Sequence, residues 1–254
     1  MSLLEVNSIY KSFGGVNAIQ DFSIKADAGE IHGIIGPNGA GKTTIFNTIS
    51  GVYKPDRGQV FLDGKDITNL EQYKITRLGM GRTFQNIRLF KGLTVEENVM
   101  CAFDPQSKYT IFGGLLPTPK RFAEEKRGRE LCEKYLEIVG MKDYINERPE
   151  NLSYGMQRRI EIARALMCEP KILLLDEPAA GLNPTEVGEL TELITRISKE
   201  LGFGILLIEH RLELVMSISH IIHVQNFGKT IAVGTPEEVQ QNPEVIEAYL
   251  GKEE

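Results

Sequence analysis

The sequence predicts an α/β fold built on a central strand, glycine-rich turn and helix, with antiparallel strands beside it and a mainly helical insertion between two strand-rich halves. Three observations carry that prediction. Glu30-Ile31-His32-Gly33-Ile34-Ile35 is an apolar run that reads as a buried strand. It leads into Gly36-Pro37-Asn38-Gly39-Ala40-Gly41-Lys42-Thr43-Thr44, and Ile45-Phe46-Asn47-Thr48-Ile49 continues as a helix until Gly51. Two further apolar runs, Ile172–Leu175 and Gly204–Ile208, end in acids, Asp176-Glu177 and Glu209.

The glycine-rich turn has the G-x-x-x-x-G-K-[ST] form in the strand-to-helix setting that the pattern needs. Successive backbone N–H groups make a concave anion nest, and the helix N-terminus adds partial positive charge. Gly36, Gly39 and Gly41 relax the dihedral limits, Asn38 and Ala40 complete the turn, and Lys42 brings a compact cation to the outer phosphates. The Thr43 hydroxyl suits Mg²⁺, with Thr44 beside it. A lysine–phosphate contact near 4 Å is worth about 4 kcal/mol at an effective dielectric of 20. A helix-end interaction gives only ~0.3–1 kcal/mol. Lys42 therefore outweighs the first helical turn in holding a nucleoside triphosphate.

A chain of 254 residues with 41% hydrophobic and 25% charged residues has the length and composition to bury a core without staples. Its formal net charge of -6 argues against a general nucleic-acid or anionic-membrane binder, so a bound triphosphate needs a local positive site. Cys101, Cys132 and Cys168 show neither metal-ligand spacing nor a disulfide framework, and read as packed or half-buried thiols in a reducing compartment. The first residues lack the pattern of a signal peptide, and no apolar run approaches 18 residues, so nothing is expected to span a bilayer.

Taken in order, residues 3–26 read as β structure, with Phe22, Ile24 and Ala26 alternating with Ser23 and Lys25. Gln59–Leu62 runs into the tight turn Asp63-Gly64. Thr94-Val95-Glu96-Glu97 has the form of a capping box and opens a helix. Residues 113–119, rich in Gly and Pro, read as a surface turn. Lys120 onward forms one amphipathic helix with Leu131, Tyr135 and Ile138 on its apolar side, and the mixed charges on the other side read as a solvated face. Ser153 caps the helix that follows. Ile221–Val224 and Thr230–Val233 flank Asn226-Phe227-Gly228-Lys229 as a hairpin, and Thr235-Pro236-Glu237-Glu238 is a second capping box.

With the phosphate loop, Gln85, Leu152-Ser153-Tyr154-Gly155, Asp176-Glu177 and His210 in this order, the chain resembles the ATP-binding cassette (ABC) ATPase subunits of transporters over nearly its whole length. The resemblance implies a P-loop NTPase with a RecA-like core over 1–88 and 166–254, an antiparallel β subdomain, and an inserted helical subdomain over 89–165. It implies ATP hydrolysis with Mg²⁺. Phe13 matches the aromatic that stacks on adenine, Asp176 the carboxylate that holds Mg²⁺ through water, and Glu177 the group that polarises the attacking water. His210 matches the residue that contacts the γ-phosphate and orients Glu177, and Gln85 the loop residue that touches Mg²⁺. The family's L-S-G-G-Q helix start is Leu152-Ser153-Tyr154-Gly155-Met156 here, with Gln157 one place later. Ser153, Gly155 and Gln157 would serve a nucleotide held by a second ATPase subunit. Asn183 stands where many members have Asp.

Arg82-Thr83-Phe84-Gln85, Ala179-Ala180-Gly181-Leu182-Asn183-Pro184, the insertion at 104–130 and the ending Glu247-Ala248-Tyr249-Leu250-Gly251 are similar to the larger ATPase subunit of branched-chain amino acid importers. That likeness implies two ATPases, two membrane permeases and a periplasmic binding protein, with this chain cytoplasmic and peripheral on the inner face of the membrane. The ATPase of another transport system, such as lipopolysaccharide export, shares most of these motifs. A soluble cassette ATPase and a regulator without turnover are the readings from other classes. The single phosphate loop and acidic balance weigh against the first, and Glu177 against the second.

Overall fold

In the computed structural model, residues 2–103 and 118–250 are described, so the turn read over 113–119 lies outside the described residues except for its last two. Those two begin a helix rather than a turn. Thr118 Oγ1 accepts from the Arg121 N–H, and Pro119 takes the first position of the helix Pro119–Ile138. Proline fits there because its missing N–H would have had no partner.

The chain divides into two compact units, residues 1–85 with 171–254, and residues 86–170. In the first unit, ten strands among the described residues form one sheet. They are β1 (Leu4–Phe13), β2 (Val16–Ala26), β3 (Ile31–Ile35), β4 (Arg57–Leu62), β5 (Lys65–Asp66), β6 (Met80–Arg82), β7 (Ile172–Asp176), β8 (Gly204–Ile208), β9 (Ile221–Asn226) and β10 (Lys229–Gly234). Their order across the sheet is β5-β4-β1-β2-β10-β9-β3-β8-β7-β6. β9, β3, β8, β7 and β6 pair in parallel, whereas β1, β2, β4 and β5 pair antiparallel. β3, β7 and β8 are buried at every position, which is why they read as unbroken apolar runs, while β1 and β2 alternate. The two regions join through a single registered parallel pair, Lys229 with Gln20. Gln20 reinforces it, its N–H donating to Gly228 O at 2.7 Å and its amide to Phe227 O at 3.1 Å.

The core of this unit packs Ile34, Leu174, Leu206 and Ile208 from the parallel strands with Ile45, Phe46 and Ile49 from the helix Lys42–Ile49. Leu4, Val6, Phe22, Ile24 and Val60 extend it across the antiparallel strands. Each such side chain contributes about 1.5–3 kcal/mol on burial. Residues 221–234 form the expected hairpin. The helix Pro236–Gln240 has its expected capping box, with the Thr235 hydroxyl accepting from Glu238 N–H and the Glu238 carboxylate accepting from Thr235 N–H. The last described helix runs Pro243–Leu250.

The second unit is helical where described. Thr94 and Glu97 close their capping box on the helix Val95–Met100, and Ser153 caps the helix Tyr154–Leu166. In the latter, Arg158 and Glu161 are buried together, Nη1 to Oε2 at 2.5 Å. Cys132 and Cys168 are buried, and burial pushes the Cys132 thiol up to about 12. Cys101 is exposed, against the expectation of three packed or half-buried thiols. None of the three is in a disulfide. No described helix is long and apolar enough to cross a membrane.

Candidate functional site

The phosphate loop leaves β3 at Ile35 and enters the helix Lys42–Ile49 through Gly41, which has φ 99°. A left-handed residue at the cap suits glycine, and no side chain caps this helix start. Its first N–H groups therefore remain for a ligand. Packing makes the same demand as the dihedral. A Cβ on Gly41 would lie 2.2 Å from Ala18 O, and one on Gly36 would lie 2.1 Å from Gln225 O. Backbone thus closes on backbone behind the loop. Lys42 is buried, and its ammonium donates to Gly36 O at 2.7 Å and Pro37 O at 3.0 Å. Burial pushes the Lys42 pKa down, and the Glu177 carboxylate pulls it back up.

A cavity opens over this loop. It is lined by Asn38, Gly39, Ala40, Gly41, Lys42, Thr43 and Thr44 on one wall, with Val16, Asn17, Ala18, Glu177, His210 and Phe227 around it. Seven predicted loop positions are thereby gathered with Glu177 and His210. Gly36 is not among the residues that line the cavity.

Glu177 follows β7 with φ 46°, a left-handed conformation that a glutamate seldom adopts, and its N–H donates to Ile208 O at 2.9 Å. Its carboxylate is joined to His210 Nε2 at 2.9 Å through Oε1 and accepts from Gln85 Nε2 at 2.8 Å through Oε2. The three residues come from the ends of β7, β8 and the segment after β6. Gln85 thus meets Glu177. His210 is in turn held by its neighbour. The buried Glu209 carboxylate accepts from the N–H groups of Ala179 at 2.6 Å, His210 at 3.0 Å and Arg211 at 3.4 Å. Burial raises the Glu209 pKa while those three donors lower it.

Asp176 sits behind Glu177 and does not line the cavity. Its Oδ2 pairs with Arg82 Nη2 at 3.0 Å, and Arg82 Nη1 donates to Ser50 Oγ at 2.7 Å. Phe13 also lies off the cavity wall, its ring edge-on to Tyr53 with centroids 5.1 Å apart and Lys11 Nζ 5.5 Å from its centre. In the helical unit, Ser153 Oγ accepts from Met156 N–H at 3.3 Å, Gly155 is buried, and Gln157 Nε2 donates to Leu152 O at 3.0 Å. Asn183 is a helix cap, its Oδ1 accepting from Glu186 N–H at 3.0 Å and Glu186 Oε2 accepting from its own N–H at 3.0 Å. A neutral cap there has no need of the aspartate charge.

The sequence reading missed Arg82 and Glu209 as partners, and Phe227 as a wall. A buried aspartate announces that it needs a cation, but the chain offers 29 lysines and arginines. Phe227 carried no signal beyond its place in a turn.

The cradle that two Cβ atoms would fill, the free helix start and Lys42 fit a polyphosphate. No cluster of three His, Cys, Asp or Glu able to hold a metal occurs among the described residues. The Thr43 hydroxyl, the Gln85 amide and the Asp176 carboxylate are oxygen donors that fit Mg²⁺ only in company with substrate phosphates and water, which is the usual mode for that ion.

Residues 19–180 match the family described as ABC transporter, and residues 229–254 match the one described as branched-chain amino acid ATP-binding cassette transporter. The chain is 46% identical over 98% of both chains to the high-affinity branched-chain amino acid transport ATP-binding protein LivG of Salmonella typhimurium. It is 35% identical to the lipopolysaccharide export system ATP-binding protein LptB of Haemophilus influenzae, covering 100% of this chain and 99% of that one. Among solved structures, a nucleotide-free ATP-binding cassette from an ABC transporter superposes with a TM-score of 0.86 at 32% identity, covering 99% of this chain and 100% of the other.

Proposed function

The chain belongs to the ABC transporter ATPase family, and on that premise we propose that it is the ATP-hydrolysing subunit powering a branched-chain amino acid importer. The observation that carries the enzymatic part is the bonding of Glu177 to both His210 and Gln85 at a cavity lined by Lys42 and Thr43. The reaction is ATP plus water to ADP plus phosphate. A loose phosphoryl transition state asks for positioning and charge neutralisation more than for a strong base.

The N–H groups at the helix start, Lys42 to Thr44, and the Lys42 ammonium take the charge of the β- and γ-phosphates. Glu177 polarises the attacking water and receives its proton as the bond from γ-phosphorus to the bridging oxygen breaks. His210 holds the Glu177 carboxylate in place and faces the γ-phosphate. Thr43, Gln85 and Asp176 would hold Mg²⁺, which neutralises phosphate charge when bound. Ser153, Gly155 and Gln157 act on the nucleotide of a second ATPase subunit, the Ser153 cap and the small Gly155 letting backbone approach its γ-phosphate.

The cargo reading rests on the 46% identity to LivG along nearly the full chain and on the match of residues 229–254. With it go two membrane permeases and, indirectly, a periplasmic binding protein, the chain working from the cytoplasmic face. Lipopolysaccharide export is the second reading, supported by the LptB match. Isolation of the intact membrane complex tests both. The proposal expects a permease pair to co-purify and ATPase activity to rise with leucine and its binding protein. Stimulation by lipopolysaccharide and indifference to leucine would transfer the chain to the export system.

A further inference from the structure

Phe227 is the most exposed large apolar side chain of the described chain, at 81%. It also has φ 44°, so its turn holds an aromatic residue in a conformation that favours glycine. Backbone strain of this kind clusters at ligand-binding sites. The turn is fixed against the phosphate loop. Gly228 N–H donates to Ala40 O at 3.1 Å, and Phe227 O accepts from the Gln20 amide at 3.1 Å. The turn's backbone is thereby held beside the loop, and Phe227 lines the cavity together with Val16 and Ala18. With Ala40 of the loop, these are the apolar side chains of the lining. Phe13, by contrast, has its ring against Tyr53 and lies off that wall.

We propose that Phe227 is a nucleobase contact, its ring giving the purine of ATP an apolar face beside Val16 while the loop holds the phosphates. The assignment rests on the cavity being the nucleotide site. A flat π-face suits a planar base in any orientation about its normal, and it needs no hydrogen-bond partner in the turn. The phosphates supply most of the affinity through Lys42 and the amides, so Phe227 acts as an additional holding surface for the base and not as a catalytic residue.

The chain has no tryptophan, which makes the test direct. In the full chain, Phe227→Trp and Phe13→Trp each place one reporter, and Phe227→Ala removes the face. Magnesium tripolyphosphate is the baseless probe beside MgATP, and Lys42→Ala is the control for the loop. The emission of Phe227→Trp is expected to be quenched by MgATP and left unchanged by magnesium tripolyphosphate. Phe227→Ala is expected to weaken MgATP binding about tenfold, a typical loss for one aromatic–base stack, with tripolyphosphate affinity kept. Emission from Phe227→Trp that ignores saturating MgATP, or unchanged MgATP affinity in Phe227→Ala, overturns the proposal. If Lys42→Ala binds both probes as the parent does, the nucleotide-site reading itself fails. If Lys42→Ala loses both while Phe227→Ala loses neither, only the base contact fails.

Discussion

Replacing Arg82 by methionine should destabilise the protein far more than a surface ion pair would. The Arg82 and Asp176 side chains are 10% and 5% exposed, with Nη2 to Oδ2 at 3.0 Å. At an effective dielectric of 20, Coulomb attraction over that distance is about 5 kcal/mol. Desolvation of both groups offsets much of it, so the pair as a whole adds little. Taking away one member is different, because the remaining carboxylate keeps its burial and loses its cation. That costs about 3–5 kcal/mol. For a chain of this size each kcal/mol moves the melting temperature by about 2–4 °C, so Arg82→Met should melt roughly 10 °C lower. Thermal unfolding of Arg82→Met, Asp176→Asn and the double variant provides the assay. The double variant, which buries no unmatched charge, should recover most of the loss. A single variant within about 2 °C of the parent, or a double variant no better than Arg82→Met, would refute the account.

Glu177→Gln should bind MgATP with near-parental affinity and release phosphate at least about 100-fold more slowly, since it keeps the shape of the carboxylate and loses its proton acceptance. Unchanged turnover would remove Glu177 from its role. Burial, with His32 beside it, holds the His223 pKa down to about 3, so the folded protein keeps this imidazole neutral while the unfolded chain protonates it below about 6.5. The stability this gives is complete above that pH and is lost as pH falls, by about 2 kcal/mol between pH 7 and 5. Urea midpoints across that range should show it, and His223→Gln should flatten the slope. Gly41→Ala sets a methyl group 2.2 Å from Ala18 O and should cost about 1–3 kcal/mol in stability along with nucleotide binding. Parental melting and parental affinity in that variant would contradict the close approach of the two backbones.

What the sequence made legible was local. The phosphate loop announced itself because one run of nine residues carries the strand end, the turn and the helix start. Thr94, Ser153 and Thr235 declared their helices because a cap and its partner lie three residues apart. Glu177 and His210 were nominated by the family resemblance together with their place after buried strands, and the structure puts them 2.9 Å apart. Contacts between distant segments were not legible. Nothing in the order of residues says that Gln20 meets Lys229, or that Arg82 is the cation chosen by Asp176. The placing of Phe13 shows the same limit, because its pairing with Tyr53 is settled by packing between a strand end and a loop. The Glu177 backbone conformation was hidden for another reason, since neighbouring structure imposes it against the residue's own preference.

The narrow join at Gln20 has a mechanical consequence. Val16, Asn17 and Ala18 belong to the antiparallel side of the sheet, whereas the phosphate loop is carried by the parallel side, and both border one cavity. Whatever fills that cavity rivets the two halves across their thinnest seam.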